Sequence, residues 1–240
     1  VRFAHEFGMN DLSNYMLYNF HDSPADLFER MVLNVQLNQE LSIRIYSFPM
    51  RYQPTDLPVR SHVGPKWNRY YLRSFQLILQ ATHGVVSGEP DFFQAAFGHS
   101  FEEFEKILSL PHHMIFNRQW FERYDGRAEY DSYNSAFNSL SASERNELIA
   151  FLAARNPAEY ARDLKDLAPN VRRVGQFYVP MSKAAELKVR QMQRKIRANE
   201  RRAPVNLSSE EIVEDAGLTF DEPEAFAAER KGDRPARAVQ

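Results

Sequence analysis

The sequence predicts an α/β protein that starts with a strand–helix–strand unit and continues as a mostly helical chain. Two apolar runs, Ser13–Phe20 and Ser42–Phe48, flank a long amphipathic segment. Strands joined in this way run parallel with a right-handed crossover, and ligands bind at their carboxyl ends. Beyond Pro65, apolar residues recur at helical rather than strand spacing. These two observations together give the predicted fold class.

The first elements follow from local sequence signals. Val1–Gly8 is predicted to be the end of a helix, closed by its glycine. Ser13–Phe20 is apolar along nearly its whole length, which is typical of a strand buried on both faces. Asp22 to Pro24 combine a polar cap with a proline and predict the start of the next helix. The apolar face of that helix is predicted to consist of Leu27, Met31, Val35 and either Leu37 or Leu41.

Four prolines after the second strand predict a long loop over Pro49–Pro65. Trp67–Thr82 follows as a strong helix, and Tyr71, Phe75, Ile78 and Leu79 are expected on its apolar face. The shorter helices that we predict are Asp91–Phe97, Phe101–Leu108, Ser141–Ala154 and Pro157–Asp166. Ser141 and Glu144 have the spacing of a capping box. The aromatic stretch Pro111–Trp120 is predicted to be a loop or a short strand.

Charge is unevenly distributed at the end of the chain. Lys183 to Arg202 hold eight Lys or Arg against two Glu, whereas Ser208 to Glu229 hold eight Asp or Glu and no Lys or Arg. Such blocks predict a solvated basic helix followed by a mobile acidic tail. The chain is therefore divided into residues 1–65 with the strands and the loop, residues 66–180 with the helices, and residues 181–240 with the charged end.

Composition excludes several classes of site. The chain has no cysteine, so by itself it forms no disulfide, no thiolate zinc site and no iron–sulfur cluster. No apolar run approaches the roughly 20 residues of a membrane helix, and a cytoplasmic protein is expected. The adjacent His112 and His113 are predicted not to bind a metal, because no carboxylate stands at helical spacing beside them.

The candidate site lies where the two strands end. Asn19 and His21 follow the first strand; a turn-capping role explains His21, whereas Asn19 can either cap the turn or face the ligand. The loop after the second strand mixes cations, including Arg60 and Lys66, with aromatic rings, which suits an anionic ligand that has an aromatic ring. A proline-rich connector with solvated charges explains the same composition equally well. The residues predicted to bind substrate are Arg51, Tyr52, His62, Trp67 and Arg69.

Four blocks of the sequence resemble the C-terminal half of a bacterial group of radical S-adenosylmethionine (radical SAM) proteins. The resemblance extends over roughly Val1 to Arg118. It implies a partial (β/α)6 barrel, of which this chain would supply the fifth and sixth strands and a helical extension. The N-terminal barrel half would be the missing partner, and the start at Val1 within a helix is interpreted in the same way. The blocks read YMLYNFHDSPADLFERM, IRIYSFPMRYQP, KWNRYYLRSFQLILQATHGVV and FFQAAFG.

The resemblance implies a four-iron, four-sulfur cluster that cleaves S-adenosylmethionine to a 5′-deoxyadenosyl radical. The family holds this cluster in a CxxxCxxC loop, which this chain lacks, so the chain alone is expected to be inactive and its substrate is unknown. By position, Tyr18 and Asn19 would pack against the adenine. Tyr46, Ser47 and Phe48 would offer it backbone groups.

A second hypothesis is a non-enzymatic interaction module, in which the aromatic helices form their own domain and the basic helix binds RNA or an acidic partner. The basic segment lacks interleaved aromatics and base-reading motifs, which gives nucleic-acid binding weak support. A half-barrel left by gene decay is the third possibility, and it predicts poor solubility because a strand edge would be unpaired.

Overall fold

A computed structural model describes residues 1–56, 61–182, 187–188, 191–192 and 194–195, without the side chains of residues 119 and 120. The chain divides into two units, Val1–Lys188 and Val189–Gln240, and the fold described below is that of the first. Most of the predicted basic helix, all of the predicted acidic tail and Arg60 lie outside the described residues. The described pairs 187–188, 191–192 and 194–195 are helical.

The described part of the chain is mixed α/β and mostly helical, which confirms the predicted class at this level. Its two strands, β1 (Asp11–Tyr18) and β2 (Arg44–Arg51), form a small parallel sheet. Two helices belong to this region, α1 (Arg2–Glu6) and α2 (Pro24–Leu41). The later helices are α3 (Arg69–Ala81), α4 (Pro90–Phe97), α5 (Phe101–Ser109), α6 (His112–Phe116), α7 (Arg118–Arg123), α8 (Arg127–Asn138), α9 (Ala142–Ala154), α10 (Tyr160–Asp163) and α11 (Pro169–Gly175). Short 3-10 turns cover Pro157–Glu159, Leu164–Asp166 and Gln176–Tyr178.

The strand–helix–strand unit forms as predicted. The strands pair in register from Asp11 opposite Arg44 to Tyr18 opposite Arg51. Helix α2 begins at a capping box in which Ser23 and Asp26 bond each other's backbone N–H groups, and Pro24 occupies the first turn. The chain leaves α2 through Ser42 in the left-handed conformation and enters β2 directly. The first helix likewise ends before Gly8, which has a φ of 81°.

Helix α2 covers only one face of the sheet. Leu27, Met31 and Val35 are buried as predicted, but Asn34 and Asn38 complete the buried face in place of Leu37 or Leu41, which are partly exposed. On the opposite face of the sheet, Tyr15, Leu17 and Met50 are 78%, 45% and 48% exposed. The prediction that the first strand is buried on both faces is therefore wrong for this chain: alternate residues such as Met16 and Tyr18 are buried, and their neighbours are not.

The second strand is longer than predicted and runs through Pro49 to Arg51, so the loop begins at Tyr52. The backbone N–H and C=O of Ser47 point away from β1 and bond Val86 in an antiparallel bridge. Backbone groups alternate between the two sides of a strand, so the nitrogen of Pro49 faces the same outer side, where the ladder needs no donor. A proline is tolerated there without breaking the strand.

Helix α3 lies in the centre of the apolar core. Phe75 and Ile78 of its predicted apolar face are buried, whereas Tyr71 and Leu79 are partly buried and Tyr70, Leu72 and Leu77 are buried as well. The ring of Phe75 meets Phe104 edge-on and Tyr18 edge-on, so the helix joins the strands to the later helices. One contiguous core therefore spans the predicted regions 1–65 and 66–180.

Among the later helices, four predicted elements form, one segment is predicted wrongly, and α8 and α11 are not predicted. The elements predicted over Asp91–Phe97, Phe101–Leu108, Ser141–Ala154 and Pro157–Asp166 are helical. Pro111–Trp120 is also helical, in α6 and the start of α7, which corrects the prediction of a loop or strand. The segment is rich in apolar residues because its short helix packs into the core at Met114 and Ile115. It is not an extended strand.

In the described residues, no helix is long and apolar enough to cross a membrane.

Candidate functional site

Asn19 fixes the geometry at the carboxyl ends of the two strands. It directly follows β1, is fully buried and has a φ of 70°. Its Nδ2 donates hydrogen bonds to the carbonyl oxygens of Tyr52 (3.2 Å) and His62 (3.1 Å), and its Oδ1 accepts from the N–H of Gly64 (2.8 Å). Both ends of the loop after β2 are thus bonded to one side chain. The sequence analysis allows a turn-capping or a ligand-facing role for Asn19; the structure instead shows its side chain anchoring the loop.

Gly64 lets the loop approach the turn after β1. A Cβ atom at this position would lie 2.5 Å from the carbonyl oxygen of Phe20 and 2.9 Å from that of Asn19. No side chain fits such a gap without moving backbone. The sequence analysis does not single out Gly64, although a glycine among the loop's polar residues is the usual signal of a close approach.

An aromatic wall lines the turn and the loop. It consists of Phe20, His21, Tyr52 and His62. The ring centroids of Phe20 and Tyr52 are 4.7 Å apart, and Tyr52 meets the ring of His62 edge-on at 5.3 Å. Phe20 also contacts the His21 ring, which is itself exposed. The N–H of Phe20 is bonded by Asp22, so Asp22 rather than His21 caps this turn.

Two arginines contribute positive charge to this region. Arg51, the last residue of β2, donates from Nη2 to the carbonyl oxygen of His62 at 2.7 Å. Partial burial lowers the pKa of Arg51, and the positive charge of Arg69 lowers it further. Arg51 also acts on Tyr18, whose pKa is raised to about 12 by burial. Among the described residues, no ion pair is formed by Arg51 or Arg69.

Trp67 follows the loop and is part of the buried core. Its ring is 6% exposed and packs against Tyr18 at 5.4 Å. Three polar atoms of the loop are buried and have no hydrogen-bond partner in the described part of the chain: Gln53 Oε1, His62 Nε2 and Trp67 Nε1. Five further atoms of this kind lie elsewhere in the described residues, so the three matter here because they fall in one loop, where a bound group could complete their bonding. Gln53 is not among the residues that the sequence analysis predicts.

The structure brings three of the five predicted substrate residues into contact, and the other two are linked to them less directly. Arg51 and Tyr52 are joined to His62 by a hydrogen bond and a ring contact, and Arg69 lies within electrostatic reach of Arg51. Trp67 connects to the same group through Tyr18.

Besides Asn19, four strand residues are predicted to bind an adenine, and their side chains lie on opposite faces of the sheet. The side chains of Tyr18 and Ser47 point to the face covered by α2, where Ser47 bonds Asn34. The Ser47 backbone groups are already bonded to Val86, so they are not available to a ligand as the sequence analysis expects. Tyr46 and Phe48 alternate with Ser47 and belong to the uncovered face, where Phe48 contacts Tyr15.

His112 and His113 point in different directions. His112 stacks on Tyr70 with centroids 4.4 Å apart, whereas His113 lies 3.5 Å from Glu129. Within the described residues there is no group of three or more side chains that could hold a metal. His113 and Glu129 instead border a small cavity of about 190 Å³, completed by Gln176, Phe177, Val179 and Met181.

Comparisons of the chain with protein-family models, with curated proteins and with solved structures found no match.

Proposed function

We propose that this chain is the C-terminal portion of a radical SAM enzyme of the cytoplasm. The observation that carries the proposal is the asymmetry of the sheet: α2 packs on one face, and the other face is uncovered and apolar towards the carboxyl ends of the strands. In a (β/α) barrel every strand has helices outside and inward side chains that meet those of other strands. The face formed by Tyr15, Leu17 and Phe48 has the composition expected of such an interior.

The location of the site supports the same proposal. Parallel barrels bind ligands at the carboxyl ends of their strands, on the loops that follow. Asn19 and Arg51 stand at those ends here, and the side chain of Asn19 bonds Tyr52, His62 and Gly64 of the loop that follows. The chain's own role is to bind and orient a substrate and to shield it from water.

The iron–sulfur cluster does not fit this chain. Clusters of this class are held by thiolates, and the chain has no cysteine. The cluster would therefore be bound by the missing barrel half, the partner that the proposal requires. For S-adenosylmethionine, Tyr46 and Phe48 have suitable positions on the uncovered face, whereas Ser47 is committed to Val86.

The proposal is tested on the product of the intact gene, including any coding sequence that precedes Val1. The protein is reconstituted anaerobically with iron and sulfide and assayed for 5′-deoxyadenosine in the presence of a reductant. We expect cleavage of S-adenosylmethionine that is abolished by replacing the cysteines of the preceding sequence. Phe48→Ala should lower the rate, and Leu33→Ala, an exposed leucine on α2, should not.

Absence of a preceding cysteine motif, or a reconstituted protein that binds no cluster, would contradict the proposal. The interaction module would then be the better account, with the basic segment from Lys183 to Arg202 as its binding element for RNA or an acidic partner. A salt-dependent affinity for RNA would identify that outcome.

A further inference from the structure

Arg51 and Arg69 form no ion pair with any carboxylate of the described residues. The bond from Arg51 Nη2 to the His62 carbonyl holds one edge of that guanidinium in place and leaves its other N–H groups for a ligand. Arg69 is close enough for the two charges to repel each other. The nearby Lys66 is different, because it lies 3.8 Å from Asp26 and forms an ion pair. Like charges held together without a carboxylate are unfavourable unless an anion joins them.

The start of helix α3 adds to the positive potential. Arg69 is its first residue, Asn68 caps it by accepting from the N–H of Tyr71, and its first turn has no acidic residue. The amino end of a helix carries a partial positive charge, which normally favours Asp or Glu and disfavours Arg. An anion bound between Arg51 and Arg69 would be stabilised by both side chains and by the helix.

The unpartnered Trp67 Nε1 is an independent indication of a ligand. Its N–H can only donate, it is buried, and no acceptor among the described residues bonds it. Trp67 immediately precedes Asn68, so this donor belongs to the same turn as the start of α3. His62 Nε2 lacks a partner as well. An acceptor-rich group such as a carboxylate or a phosphate would satisfy donors that the protein leaves free.

The aromatic wall indicates what the anion is attached to. Phe20 is 44% exposed although its ring rests against Tyr52. An exposed ring supported by a second ring offers a flat surface for stacking, as ring pairs at these spacings prefer. The wall and Arg51 meet at His62, whose carbonyl is bonded by Arg51 and whose ring contacts Tyr52.

We infer that the substrate of this site carries a planar ring and a carboxylate or phosphate, with the anion bound by Arg51, Arg69 and Trp67 Nε1 and the ring stacked on Phe20. This inference rests on the proposed function, because it assigns the substrate class of the proposed enzyme. The anion is the substrate's and not the carboxylate of the cofactor.

The experiment uses the two indole N–H signals that the chain's two tryptophans give in a proton–nitrogen correlation spectrum. The variant Trp120→Phe assigns them. The full chain is titrated with phenyl phosphate, with methyl phosphate and with S-adenosylhomocysteine. We expect phenyl phosphate to move the Trp67 signal saturably and to bind more tightly than methyl phosphate.

Variants then identify the binding groups. Arg51→Gln and Arg69→Gln should each weaken phenyl phosphate at least about tenfold, the usual effect of losing a charge-assisted hydrogen bond. Arg51→Lys keeps the positive charge and should lower the affinity for phenyl phosphate less than Arg51→Gln does. Arg73→Gln removes an exposed charge one turn further along α3 and is the matched control; its affinity should equal that of the wild type.

Each other outcome has a defined meaning. A Trp67 signal that no phosphate moves, or equal affinity in Arg51→Gln, would overturn the anion site, and equal binding of methyl phosphate would overturn the ring. Movement with S-adenosylhomocysteine alone would assign the site to the cofactor and overturn the substrate assignment. Cleavage of S-adenosylmethionine without anion binding defeats this inference alone. Anion binding without cleavage supports the site and defeats the proposed function.

Discussion

At the scale of single residues, the buried side chain of Asn19 determines the shape of the site. Its side-chain amide donates to the carbonyl oxygens of Tyr52 and His62 and accepts from the N–H of Gly64. The backbone of Asn19 also adopts the left-handed conformation. Asparagine tolerates that conformation better than other residues with a side chain. Both properties make the position hard to substitute.

We predict that Asn19→Ala lowers the free energy of unfolding by about 2–4 kcal/mol. The carbonyl oxygen of Tyr52 and the N–H of Gly64 lose this partner, the carbonyl oxygen of His62 keeps only its bond from Arg51, and alanine is strained at positive φ. Urea unfolding measures the change. Asn19→Gly removes the strain but not the lost hydrogen bonds and should recover about 1 kcal/mol of it. Asn10→Ala, an exposed asparagine, is the control. A loss in Asn19→Ala no larger than in the control would contradict the anchoring role.

His112 makes stability depend on pH. Burial lowers its pKa from 6.5 to about 4, so the unfolded chain takes up a proton that the folded chain does not. Stability from this group is complete above pH 6.5 and is lost as the pH falls towards 4, by roughly 3 kcal/mol in total. His112→Phe keeps a ring on Tyr70 and should flatten the decline over that range. The check is urea unfolding at stepped pH, and an equally steep decline in the variant would refute the assignment.

At the scale of elements, polar side chains attach α2 to β2. Asn38 accepts a hydrogen bond from the N–H of Ile45 and donates to the carbonyl oxygen of Asn34, and Asn34 in turn donates to Ser47. The side chain of Asn38 therefore acts as a short substitute for a neighbouring strand. Gly88 packs closely on it, since a Cβ there would fall 2.2 Å from Asn38 Nδ2.

Replacing Asn38 by leucine should cost about 2–3 kcal/mol of unfolding free energy, although leucine is apolar and of similar size, because the N–H of Ile45 is left buried and unbonded. The midpoint of urea unfolding gives the value. Gln39→Leu introduces the same residue at the adjacent exposed position and should stay within about 0.5 kcal/mol of the wild type. Similar unfolding free energies for both variants would show that the hydrogen bond from Ile45 to Asn38 does not stabilise the fold.

The elements also show what the sequence can and cannot predict. Capping signals identify the starts of α2 and α9 correctly, because Ser23 and Ser141 act through neighbours three residues away. Helices α6 and α7 are too short to display a period, so their apolar residues resemble a strand or loop. Helix α8 was not predicted, although Tyr133 and Phe137 are buried at helical spacing. At the site, residue types predicted the arginines and rings, but the Asn19 anchor depends on contacts between distant segments.

At the scale of the whole molecule, one aromatic core joins the strands to the helices, and a single large apolar surface is left outside it among the described strands. The core passes from Tyr18 through Phe75 to Phe104 without interruption. The outer surface consists of Tyr15, Leu17, Phe48 and Met50 on the sheet face opposite α2. Covering this face would require at least one further layer of side chains, such as the one that fills the interior of a barrel.

This surface predicts how the chain behaves by itself. Exposed contiguous apolar patches drive association, so sedimentation should show a mass that increases with concentration in the micromolar range. The double variant Leu17→Lys with Met50→Lys should remain monomeric, and its unfolding free energy should change by less than about 1 kcal/mol because both side chains are already half exposed. Leu33→Lys alters an equally exposed leucine on α2 and should associate like the wild type. If the double variant associated like the wild type, the sheet face would not be the surface through which the chain associates.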